Sequence, residues 1–155
     1  MLRNALLCSA IIVAGASAAL AMGSGDPPAT SNTPYDQAVK LVNIEDYKGA
    51  AALLSSVVGA DPTNADAWNY LGYSERKLGN FPSALAAYGK ALALQPEHRG
   101  ANEYLGELYL QMHDLPKARE RLAVLDKACW LPCDEYSQLK GEIEAYEVSN
   151  PPKSS

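Results

Sequence analysis

Three cysteines and two histidines are the side chains of this chain best suited to metal or nucleophilic chemistry. Cys129 and Cys133 stand as C-x-x-x-C, with Cys8 far away near the start. A redox-active pair usually has two intervening residues, and haem attachment needs C-x-x-C-H. A zinc site needs about four ligands, and no His or further Cys lies near this pair in sequence. His98 follows Pro96 and His113 precedes Asp114, places typical of turns, where an imidazole is solvated or caps a helix. No Gly-rich phosphate loop, H-E-x-x-H or G-x-S-x-G is present. The carboxylates Glu142, Glu144 and Glu147 follow an exposed helical face. No catalytic constellation emerges, so a non-enzymatic protein without cofactor or metal is expected.

The chain of 155 residues is 48% hydrophobic and 20% charged, which suits one modest domain and excludes wholesale disorder. A net charge of −5 argues against a nucleic-acid partner, because phosphate binding needs a basic patch. Residues 1–21 carry Arg3, an uncharged apolar run and a terminal Ala19-Leu20-Ala21, the pattern of a secretory signal peptide. The run is short and rich in Ala, Gly and Ser for a membrane anchor. The expected product is an exported protein, in the bacterial periplasm, with no membrane association beyond the signal. Residues 22–31 form a flexible leader, 32–147 the folded domain and 148–155 a frayed tail. Once Cys8 leaves with the signal, two cysteines remain in an oxidising compartment. Pro132 forces a corner between them, so a structural Cys129–Cys133 bridge is the first reading. A thiol–disulfide pair is the second and a metal site the third.

A period of 34 organises the middle. Small residues recur at Ala38, Gly72 and Gly106, and again at Ala50, Ala84 and Ala118. Tyr47, Phe81 and Leu115 form a bulky column, preceded by Asp46, Asn80 and Asp114. Further columns are Leu54, Tyr88, Leu122 and Val57, Ala91, Leu125. Within a unit the apolar residues fall at i, i+3, i+4, i+7, so each unit is two helices. Gly79 ends one helix, Asn80 is expected to cap the next by accepting a backbone N–H, and Pro82 sits in its first turn. Thr33, Pro34 and Asp36 form a near capping box. Mid-helix Gly costs about 0.5–1 kcal/mol against Ala. The small columns therefore imply close approach of the two helices in a hairpin, with Trp68, Phe81 and Tyr88 filling gaps between units. Units span 31–64, 65–98 and 99–132. An amphipathic helix over 134–147, with Tyr136, Leu139, Ile143 and Tyr146 on one stripe, is expected to cover the last unit.

Trp68, Leu71, Gly72, Ala84, Tyr88, Ala91 and Pro96 of the middle unit resemble the tetratricopeptide repeat (TPR), W…LG…A…F/Y…A…P. The chain is also similar to small exported bacterial members of that family. The resemblance implies an all-α, right-handed superhelix of three hairpins plus a capping helix, acting by protein–protein interaction. It implies a concave wall lined by the first helix of each pair: Tyr35, Val39, Val42 and Asn43, then Asp66, Asn69, Tyr73, Arg76 and Lys77, then Glu103, Glu107, Leu110 and Gln111. Two readings of its charges stay open. Arg76 and Lys77 could orient a peptide against Glu103 and Glu107, or Arg76 and Glu107 could simply form an exposed ion pair. The carboxylate clamp of some family members is not expected, because its places hold Tyr35, Val39, Tyr70, Gly100 and Tyr104. The leading expectation is an adaptor for a protein or peptide. The alternatives are an assembly subunit with an empty groove and a thiol–disulfide factor.

Overall fold

The computed structural model describes residues 32–151. The expected signal peptide and leader (1–31) lie outside the described residues, as do 152–155. Seven helices and no strand occur among the described residues: α1 (Pro34–Asn43), α2 (Tyr47–Ala60), α3 (Ala65–Lys77), α4 (Phe81–Leu94), α5 (Arg99–Gln111), α6 (Leu115–Ala128) and α7 (Asp134–Ser149). They pair as three antiparallel hairpins stacked into an all-α solenoid, with α7 against α5 and α6. No described helix is long and apolar enough to cross a membrane.

Local chemistry sets the boundaries. Thr33 Oγ1 accepts from the Asp36 N–H at 3.1 Å, and the Asp36 carboxylate accepts from the Thr33 N–H at 3.0 Å, a complete capping box. Asp46, Asn64 and Asp114 cap α2, α3 and α6 through the N–H groups of Gly49, Ala67 and Lys117. Asn80 departs from expectation. It occupies the cap position of α4, but its side chain accepts no backbone N–H. Its Nδ2 instead donates to Glu75 Oε2 at 2.7 Å, a charge-assisted bond back to the preceding helix.

Each hairpin turn has one residue in the left-handed region: Glu45 (φ 62°), Gly79 (φ 79°) and His113 (φ 59°), spaced by the repeat period. The same two backbone bonds close all three. Asp46, Asn80 and Asp114 donate to the carbonyls of Leu41, Glu75 and Tyr109, while Glu45, Gly79 and His113 donate to those of Val42, Arg76 and Leu110. This paired pattern ends a helix on a left-handed residue. Only Gly79 advertised it in sequence.

The small columns pack as contacts of two kinds. Ala38, Ala50, Ala84 and Ala118 are fully buried. A Cβ on Gly72 would sit 2.7 Å from the Tyr88 ring, so α3 and α4 approach as expected. Gly106 differs: a Cβ there would lie 2.5 Å from Leu139, in α7 rather than in its hairpin partner α6. Leu122, which stands where Tyr88 does one unit earlier, is shorter and half-buried, and α7 takes up the contact. Trp68 packs against both the first and second core clusters, joining neighbouring hairpins. Its indole N–H donates to the Pro62 carbonyl at 2.9 Å.

At the last corner Cys129 and Cys133 are disulfide-bonded, with Cα atoms 5.9 Å apart. Cys129 ends α6 and Cys133 precedes α7. Leu139 and Ile143 of α7 are buried against Leu110, Ala118 and Leu125. The helix runs through Ser149, two residues into the expected tail, with Asn150 Nδ2 and N–H both donating to the Tyr146 carbonyl.

Candidate functional site

The first helix of each pair and α7 form one layer, and their N-terminal halves bound an open groove of about 650 Å³. Tyr35 comes from α1; Asp66, Asn69 and Tyr70 from α3; Arg99, Gly100, Glu103 and Tyr104 from α5; Asp134, Glu135 and Gln138 from α7. A second depression of about 450 Å³ lies between the C-terminal halves of α5 and α7, lined by Glu107, Leu110, Gln111, Glu142 and Tyr146 among others.

Tyrosines run along this layer, joined by Tyr47 from the start of α2. Tyr35 and Tyr70 meet edge to face with centroids 6.0 Å apart, Tyr47 and Tyr73 do so at 5.9 Å, and Tyr73 and Tyr104 are tilted at 4.8 Å. The Arg76 guanidinium lies 5.3 Å from the Tyr73 centroid and 5.8 Å from that of Tyr104. Lys77 extends its ammonium over Tyr47 and Tyr73 at 5.6 and 5.7 Å. Burial raises the Tyr73 phenol, and raises that of Tyr104 to about 12, so both remain neutral donors across the physiological range.

The charges are arranged differently from either sequence reading. Arg76 and Glu107 do pair, at 2.6 Å, but both side chains are buried, at 5% and 8% exposure. The expected exposed bridge is a buried one. Gln138 Nε2 also donates to Glu107 Oε1 at 3.3 Å, so α7 closes over the pair. Burial disfavours the Arg76 charge, but Tyr88 and Glu107 more than offset it and hold the guanidinium protonated. Breaking such a pair from one side costs about 3–5 kcal/mol, because the other charge is left buried alone. Arg76 is therefore part of the wall's interior and not a surface for a partner.

Glu103 has no ion-pair or hydrogen-bond partner among the described residues, although it is only 5% exposed. Burial, reinforced by Glu107, Glu135 and Glu142, raises its pKa to about 8, with Arg76 opposing. Burial and Glu107 raise Glu142 in the same way. Asn69 is equally buried, and its Oδ1 has no partner.

Of the residues expected on the wall, the groove brings together Tyr35, Asp66, Asn69 and Glu103, while Glu107 and Gln111 border the second depression. Val42 is a correction, since it is buried in the first core cluster; Leu110 is largely buried in the third cluster but also borders the second depression. Val39 and Tyr73 are half-buried, and Asn43 and Lys77 are exposed outside the groove. The contribution of α7 was missed. With one residue inserted at the disulfide corner, α7 starts 35 residues after α5, so Asn69, Glu103 and Gln138 form one column, as do Gly72, Gly106 and Gly141. That offset was the available signal. His98 caps α5, one of the two roles expected of it, and the bond it adds to Asp66 was missed. Its Nδ1 accepts from the Ala101 N–H at 3.2 Å, which leaves the proton on Nε2 to be donated to Asp66 Oδ1 at 3.0 Å.

The described residues hold no cluster of three metal-ligating side chains. Tyrosine faces, buried acceptors and an open trough can hold a chain segment.

Models of the tetratricopeptide repeat match residues 35–80 and 65–98. Protein FlbA of Caulobacter vibrioides is 35% identical over 121 residues, which covers 72% of this chain. The chain spans only 20% of that relative's length. Among solved structures, the type III secretion translocator chaperone SycD of Yersinia enterocolitica superposes with a TM-score of 0.68 at 16% identity, covering 75% of this chain and 82% of SycD. PcrH, in complex with the chaperone binding region of PopD, superposes with a TM-score of 0.66 at 18% identity, covering 75% of this chain and 90% of PcrH. With its 34-residue period, helix pairs and buried glycine and alanine columns, the chain belongs to the tetratricopeptide repeat family.

Proposed function

We propose that this protein is a non-catalytic binding module that takes a segment of a partner protein into the groove formed by α1, α3, α5 and α7. The observation that carries the reading is the open trough of about 650 Å³ walled by Tyr35, Tyr70 and Tyr104. Tyrosines supply apolar contact area with few rotors to freeze and a polar tip, the composition of interface hot spots. PcrH, of similar fold, is seen with a region of PopD, which supports a protein segment as the ligand class. Export to the bacterial periplasm belongs to the same proposal, and the Cys129–Cys133 bridge supports it, since such bonds persist in oxidising compartments.

A photo-crosslinking residue tests this directly in cells. Placed at position 35 or 70 in the groove, it should yield adducts with a defined partner. Placed at the exposed positions 86 and 93 of α4, on the other layer, it should not. Adducts from α4 alone would overturn the groove. A second reading, an assembly subunit that packs through its end, draws on Trp130 and Leu131, which are 99% and 75% exposed at the last corner. It predicts crosslinks from position 130 instead.

A further inference from the structure

Acidic side chains outnumber basic ones around the groove. Asn69 and Glu103 are each only 5% exposed and border the same trough; Asn69 Oδ1 is a buried acceptor without a partner, and the Glu103 carboxyl, which makes no hydrogen bond or ion pair, becomes acceptor-only once ionised. The rim adds the carboxylates of Asp66, Glu97, Asp134 and Glu135 against one guanidinium, Arg99, which already reaches Glu135 at 3.7 Å, and the His98 imidazole, which is hydrogen-bonded to Asp66 at 3.0 Å. The remaining walls are ring faces, Tyr35, Tyr70 and Tyr104. What is missing is a ligand group that carries N–H donors and positive charge and packs against aromatic faces.

We infer that the groove is built for a basic segment: a lysine or arginine side chain of the bound partner enters between Tyr35, Tyr70 and Tyr104 and donates to Glu103 and Asn69. This rests on the groove reading above and names the chemistry of its ligand. An ammonium offers three donors and a guanidinium five, enough for both buried acceptors. The arriving cation also supplies the counter-charge that Glu103 lacks. The groups facing Glu103 are Arg76 of α3, Glu107 and Tyr104 of α5, and Glu135 and Glu142 of α7. Arg76 is committed to Glu107, so the local field is negative. Binding the cation expels the proton from Glu103, and affinity therefore rises with pH up to about 8.

The test is selection of random dodecapeptides on the full chain, followed by fluorescence anisotropy with the selected peptides at pH 6 and pH 8.5. The expected peptides share one Lys or Arg. Replacing it by Gln weakens binding about tenfold or more, as loss of a charge-assisted bond does. Glu103→Gln lowers affinity for the basic peptide similarly, erases its advantage over the Gln peptide and flattens the pH dependence. Should that variant be unstable, the peptide substitution probes the same contact from the ligand's side. Selected peptides without a shared basic residue, or equal affinity of the Lys and Gln peptides, overturn the inference and leave the groove reading standing. If no peptide is selected at all, the groove reading fails and this inference fails with it.

Discussion

Glu103 gives the sharpest single-residue consequence. Its folded pKa is raised to about 8, above the ordinary range of a glutamate in an unfolded chain. The folded state holds the proton more tightly, so stability is full below about pH 4 and is lost as pH rises towards and through 8. Glu103→Gln removes a titrating group while keeping its shape. The variant should match the parent in thermal midpoint near pH 4 and exceed it at pH 8.5, measured by circular dichroism melts. An equal pH response of both proteins would contradict the buried, unpaired carboxyl. Gly72 gives a second test at this scale. An added Cβ would lie 2.7 Å from the Tyr88 ring, which is fully buried and cannot swing aside. Gly72→Ala should lower stability by about 1–3 kcal/mol despite the better helix propensity of alanine, read from a urea transition. Here the sequence was informative about which small residues were needed. It could not tell that Gly106 meets Leu139, because the contact spans an inserted corner.

Among the elements, the hairpin turns show where periodicity was legible and conformation was not. Columns at 45, 79 and 113 share backbone geometry, yet their residues are Glu, Gly and His. A left-handed residue other than glycine costs about 1–2 kcal/mol, and a glycine's own chain entropy returns part of that. Glu45→Gly and His113→Gly are each expected to stabilise by about 0.5–1 kcal/mol, with His113→Gly gaining less, because it removes the hydrogen bond between its imidazole and the Tyr146 hydroxyl. Differential scanning calorimetry would resolve both. A loss of stability in Glu45→Gly would mean that the turn tolerates glutamate without strain. The disulfide belongs to this scale too. It closes a short loop between α6 and α7, for which chain entropy gives about 2 kcal/mol. Cys129→Ser with Cys133→Ser should therefore weaken the domain modestly and leave its helical spectrum intact.

In the solenoid as a whole, each hairpin touches only its neighbours, through contacts that include those between first helices, so stability passes along the stack by successive interfaces. The helix pairs and their close approach were legible from the columns, and their stacking into a solenoid followed from the resemblance those columns carry. The groove was legible only in part: Tyr35, Asn69 and Glu103 were placed on its wall, but the fourth side comes from α7, which was read only as a cover. In fact α7 both seals and completes. It buries Leu139 and Ile143, gives Gln138 to the Arg76–Glu107 pair and places Glu135 on the groove rim. Burial of two aliphatic side chains, with Tyr136 and Tyr146 partly covered, amounts to on the order of 5 kcal/mol before chain entropy is subtracted. A chain stopped after Cys133 should accordingly lose amide protection from the C-terminal end inwards. Hydrogen exchange should rise most in α5 and α6, whose apolar face against α7 becomes solvated, and least in α1 and α2, which have no contact with α7. Uniform loss of protection along all six remaining helices would instead mean that the stack unfolds as one unit, and the groove could then not be loosened at one end without losing the fold.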